Sequence, residues 1–139
     1  MKIVPLTAEA VLAMGELETI HSGYTLTPAI AVDLESVGGY AVWSDDRVIA
    51  LGGILPRWPG CGMAWAWLSR DWRRHARAIT DIVQVNLDVS EYDRIEAGVR
   101  VDYARGHAWM TRLGFEVETP LARKWGPDGA DYAIYVRVR

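Results

Sequence analysis

The run Met63-Ala64-Trp65-Ala66-Trp67-Leu68 alternates small residues with indoles. A period of two belongs to a pleated strand, where successive side chains point to opposite faces. The two Trp residues therefore read as sheet packing, not as a scattered surface for nucleic acid. Other strands are expected at Ile3–Leu6, Gly39–Trp43, Val48–Leu55, Arg94–Val99, Phe115–Val117 and Tyr132–Val138. Helical spacing falls between them. Ala10, Met14, Leu17 and Ile20 predict a helix over 8–20, with Thr7 as its N-cap and Leu6 and Val11 as a hydrophobic staple. Residues 29–36 lean towards a short helix. Trp72, Ala76, Ile79, Val83 and Asn86 share a stripe over 71–88. Asp102 is the expected cap of a helix through Leu113, and Gly114 stands where a left-handed C-terminal residue is wanted.

The connections are equally explicit. Ser44-Asp45-Asp46-Arg47 reads as a hairpin turn, and Gly126-Pro127-Asp128-Gly129 as a tight turn. Pro56–Gly62, with two Pro and two Gly, predicts a loop carrying Trp58. No linker or repeat interrupts 139 residues, so one domain is expected. The order predicts an α+β fold with a mixed sheet of six or seven strands.

Composition narrows the function. The single cysteine, Cys61, excludes an intrachain disulfide framework and a cysteine-rich zinc site. Its surroundings carry no acid–base pattern that would make it a nucleophile. No metal-ligand spacing, Walker loop or dinucleotide fingerprint is present. The opening MKIVPLTAEA lacks a signal peptide's apolar block, and no apolar run approaches the ~20 residues that cross a bilayer. A soluble, cytoplasmic or particle-associated protein without a membrane partner is expected. Net charge is −3, divided as −6 over residues 1–46 and +3 over the remainder. That acidic balance argues against nucleic acid as a partner.

Arg70, Arg73, Arg74 and Arg77 gather at the start of the predicted helix 71–88. Cations there oppose the helix dipole by about 0.3–1 kcal/mol each when exposed. A bound phosphate reverses that penalty; carboxylate partners such as Asp71 and Asp81 are the alternative. As exposed arginines, Arg73 and Arg74 are expected to contribute little to stability.

The element order resembles the GNAT (Gcn5-related N-acetyltransferase) fold. Three patterns carry the resemblance: Val48–Ile54 with Gly52 and Gly53, Leu68–Ala78 at the strand-to-helix turn, and Arg112-Leu113-Gly114-Phe115 at a helix end. It implies a mostly antiparallel sheet flanked by three or four helices. It also implies acetyl-CoA as cofactor, with an amine acceptor as the second substrate. The coenzyme site falls on Leu68, Ser69, Arg73, Arg74, His75, Ala76, Arg77 and Ala78, with phosphates on the N–H groups near 74–78. Ala76 replaces a glycine of that motif, and its methyl restricts how closely the backbone approaches a phosphate.

The resemblance also places a proton-donating Tyr at position 110, where this chain has Met110, which donates none. Tyr103 is first among substitute acids, or else a packed aromatic, and Tyr135 is second. Tyr132 and Tyr135 fall on opposite faces of the last strand. Among candidate bases, His21 lies where the family builds its acceptor site, and His107 lies on helix 102–113. His75 would be a poor proton acceptor among the arginines. Glu96 reads as solvent-exposed by alternation. The C-terminal stretch, through Tyr135-Val136-Arg137-Val138, also resembles small GNAT-like proteins of tailed bacteriophages. That implies the alternative of a non-catalytic protein in virion assembly or host-protein binding, with Trp58 as a contact anchor.

Overall fold

A computed structural model describes residues 1–14, 16–18, 21 and 25–139. Among the described residues, seven strands form one sheet: β1 (Lys2–Pro5), β2 (Tyr40–Ser44), β3 (Arg47–Trp58), β4 (Cys61–Leu68), β5 (Arg94–Arg100), β6 (Glu116–Ala122) and β7 (Tyr132–Val138). Their spatial order is β1-β2-β3-β4-β5-β7-β6. Pairing is antiparallel at β1–β2, β2–β3, β5–β7 and β6–β7, and parallel at β4–β5, where Cys61–Met63 lie beside Arg94–Glu96. The helices are α1 (Ala8–Leu12), α2 (Pro28–Val37), α3 (Ala76–Val89) and α4 (Ala104–Arg112). This is the mixed, mostly antiparallel α+β architecture expected.

The described residues group into two compact units: Met1–Leu55 with Trp65–Ala76, and Pro56–Ala64 with Arg77–Arg139. In the first, Leu6, Ala10, Val11, Ala31, Ala41, Val48 and Leu51 are buried, with Trp43, Trp65 and Trp67 packed against them. The alternating indoles of β4 thus serve a core, as the period of two requires. In the second, Ile79 and Leu87 of α3, Met110 of α4, Ile95, Ala97 and Val99 of β5, and Ala133 and Tyr135 of β7 are buried. Trp109 Nε1 of α4 donates to Thr80 Oγ1 of α3 at 2.9 Å. On β5, a Cβ at Gly98 would come within 2.7 Å of the Trp125 ring, so only glycine fits beneath that indole.

Several boundaries differ from expectation. α1 ends at Leu12 rather than near residue 20. Beyond it, Met14 bridges Val48, and Leu17 bridges Ser69. Backbone groups of β3 and β4 claim this stretch, and pairing them outweighs helical periodicity. Gly15, Thr19 and Ile20, on which part of that expectation rested, lie outside the described residues, as do Ser22, Gly23 and Tyr24. The expected loop at 56–62 is mostly strand: β3 runs to Trp58 and β4 starts at Cys61, leaving Pro59-Gly60 as the turn, with Gly60 at φ 84°. Pro56 is tolerated because the β2 pairing ends at Gly52, so no ladder bond to β2 needs its missing N–H. Asp102 does not cap α4. Tyr103 takes that place without a side-chain capping bond to the helix, while Asp102 faces Arg100. The short helix at 29–36 is α2, capped by Thr27 Oγ1 on the Ile30 N–H.

β6 closes one side of the sheet. It carries Pro120 and two register shifts against β7. No helix of the described residues is long and apolar enough to cross a membrane.

Candidate functional site

The turn after β4 begins at Ser69, which is fully buried. Its N–H donates to the Ile49 carbonyl at 3.0 Å, and its Oγ accepts the Asp71 N–H at 3.2 Å. A 3₁₀ helix over Arg70–His75 follows and runs directly into α3. The Ala76 N–H donates to the Arg73 carbonyl, so the first turn of α3 continues an existing coil. Backbone donors here are therefore largely engaged within the chain. Arg77 and Ala78 follow on α3.

The four arginines have different fates. Arg70 Nη1 lies 3.2 Å from Glu16 Oε1. Arg73 presents two nitrogens to Glu18, with Nε 2.9 Å from Oε1 and Nη2 donating to Oε2 at 3.2 Å. Glu18 is buried, with 4% of its surface accessible, so that fork neutralises a charge withdrawn from water. Arg74 and Arg77 are exposed and form no ion pair among the described residues. Asp71 pairs with Arg47 at 3.1 Å, and His75 Nε2 lies 3.4 Å from Ser44 Oγ. Among the described residues, carboxylate partners thus stand against Arg70 and Arg73 and not against Arg74 or Arg77. Glu16 and Glu18 were missed in the sequence because they stand over fifty residues from their partners.

His21 reaches the same turn. Its Nε2 accepts the Leu68 N–H at 3.0 Å, and its ring lies 5.0 Å from that of Trp67. Burial pushes its pKa down to about 4, so the imidazole is neutral at neutral pH. With Nε2 accepting, the ring proton sits on Nδ1.

The second unit holds the candidate acids. Met110 is buried at 8% exposure and serves the core. Tyr103 precedes α4, its ring above Gly106. Tyr135 is also buried, and its hydroxyl lies 2.8 Å from His107 Nδ1. His107 Nε2 lies 3.0 Å from the Val101 carbonyl, which accepts only. In the neutral imidazole, Nε2 therefore carries the ring proton, Nδ1 accepts, and the Tyr135 hydroxyl donates to it. The Tyr132 ring lies tilted against that of Trp125, their centroids 5.0 Å apart.

Glu96 is not solvent-exposed as alternation suggested. Its side chain is 14% accessible, held by Arg57 at 2.7 Å and Arg94 at 3.0 Å. Arg94 also donates to Glu118 and keeps that carboxyl below the usual range. Arg57 lies 5.1 Å from the Trp58 ring, which stands 57% exposed beside the Pro59-Gly60 turn. Among the described residues, no group of three His, Cys, Asp or Glu could hold a metal ion.

No protein-family model matches the sequence, and no curated protein matches it. Solved structures do match. Ard1 from Thermoplasma volcanium superimposes with TM-score 0.77 at 13% identity, over 99% of this chain and 96% of that one. A GNAT-family acetyltransferase from Bacillus anthracis gives 0.73 at 12% identity, over 98% and 93%. The ribosomal-protein-S18-alanine N-acetyltransferase from Escherichia coli gives 0.70 at 16% identity, over 99% and 92%. With its strand order and helix placement accounted for, the chain has the fold of the GNAT-family acetyltransferases.

Proposed function

We propose that this protein is an acetyl-CoA-dependent N-acetyltransferase acting on an amine of a small molecule or a protein. The observation that carries the reading is the likeness to acetyltransferases along essentially the whole chain. The coenzyme's phosphates are assigned to the turn formed by Leu68, Ser69, Arg73, Arg74, His75, Ala76, Arg77 and Ala78. The residues fit an anion through side chains: Arg74 and Arg77 are exposed cations beside the start of α3. The engaged Ala76 N–H shifts that work from the backbone to the guanidinium groups.

Acetyl-CoA, when bound, supplies the activated acyl group. The chain supplies position and charge, which account for large rate effects without a dedicated acid. Tyr103 is the first assigned proton donor to the leaving thiolate and Tyr135 the second. The Tyr135 proton already points at His107, which favours that order. A second reading, a non-catalytic bacteriophage protein in virion assembly or host-protein binding, has exposed Trp58 in its favour.

Calorimetry and turnover with acetyl-CoA and an amine panel test the assignment. The variant pair must be chosen with Glu18 in mind. Reversing Arg73 would leave the buried Glu18 carboxylate without its counter-charge and set a like charge beside it, so Arg73 is not the dispensable surface residue the sequence implied. Arg74→Glu with Arg77→Glu is expected to weaken acetyl-CoA binding tenfold or more while leaving the melting temperature nearly unchanged. A double variant that binds like the parent refutes this coenzyme site. A parent that binds no acetyl-CoA at millimolar concentration refutes the enzyme and leaves the second reading.

A further inference from the structure

Ser69 sends its N–H to Ile49 of β3, so its neighbours Leu68 and Arg70 present their backbone groups to the opposite edge of the strand. That edge is already paired. The Glu18 N–H donates to the Leu68 carbonyl at 2.9 Å, and the Arg70 N–H donates to the Glu16 carbonyl at 2.7 Å. Leu17 and Ser69 face each other in an antiparallel bridge. The Leu68 N–H is taken by His21 Nε2. The Arg73 fork is closed on the Glu18 carboxylate. Three residues assigned above to the coenzyme, Leu68, Ser69 and Arg73, are thus engaged by one neighbouring stretch.

We propose that Glu16, Leu17, Glu18 and His21 act as an internal competitor for the coenzyme. The backbone of Glu16 to Glu18 pairs with the β4 end, the His21 ring takes the Leu68 N–H, and the Glu18 carboxylate occupies the guanidinium fork that a phosphate would take. The inference rests on the coenzyme site assigned above and adds regulation to it. The coenzyme cannot strip Arg73 alone, because Glu18 would remain buried without its counter-charge. Release therefore removes the carboxylate and its strand-like pairing together. The competent state is a minor population, and apparent affinity is reduced by that population.

Acetyl-CoA calorimetry on the intact chain, parent and Glu18→Gln, tests this. Glutamine keeps the size and removes the charge. Affinity should rise five- to tenfold in Glu18→Gln. A second measurement needs only the parent: on saturation with acetyl-CoA, amide exchange at Glu18 and Arg70 should accelerate at least tenfold. Binding in both proteins without tightening, or parent exchange that slows or stays the same, overturns the internal competitor and leaves the coenzyme site standing. No binding by either protein at millimolar acetyl-CoA removes the coenzyme site itself, and the competitor with it.

Discussion

Gly114 takes φ +84°, a conformation that costs most residues energy and a β-branched residue most of all. It is held from both sides. The Phe115 N–H donates to the Met110 carbonyl at 2.9 Å, and the Gly114 N–H to the Thr111 carbonyl at 3.1 Å. These two bonds close α4 in a Schellman motif, with Met110 and Phe115 both buried. Gly114→Val should therefore destabilise by more than about 1 kcal/mol and lower the melting temperature by several degrees. A thermal scan that superimposes on the parent's would refute this. The same motif makes Met110 a core residue that helps close the helix, so a hydroxyl placed there would enter apolar surroundings.

Between elements, one bond ties α3 to α4, from Trp109 Nε1 to the buried Thr80. Thr80→Val keeps the shape and deletes this acceptor, and urea unfolding should show a loss of about 1–2 kcal/mol. An unchanged midpoint would mean the indole finds an equal partner. Elements set by local pattern were legible in the sequence. β7 appears with the bounds read from it, and α2 covers the short helix expected over 29–36. Elements settled by distant partners were not. The stretch after Leu12 has helical spacing, yet Val48 and Ser69 claim it. Pro56 reads as a breaker until the end of the β2 pairing is known. At the candidate site the arginine cluster was visible, because like charges at one helix start stand out. The carboxylates that answer Arg70 and Arg73 were invisible, because no local rule links residues 16 and 18 to residues 70 and 73.

For the whole molecule, His21 couples stability to acidity. Unfolded, it titrates near 6.5; folded, near 4. The unfolded chain therefore takes up the proton first, so its stabilisation is complete above about pH 6.5. It falls as the solution is acidified through that interval and levels off below about 4, a total of up to about 3 kcal/mol. Urea unfolding at pH 7.5 and 4.5 should show a larger loss in the parent than in His21→Gln, which keeps every other titrating group. Equal losses would remove His21 as the cause. The strand that closes the other unit has a colloidal consequence. β6 meets solvent with Pro120, two shifts in register, and a glutamate already pinned by Arg94. Such a border offers an incoming chain no even ladder to copy, so fibre growth finds no template at that end of the sheet.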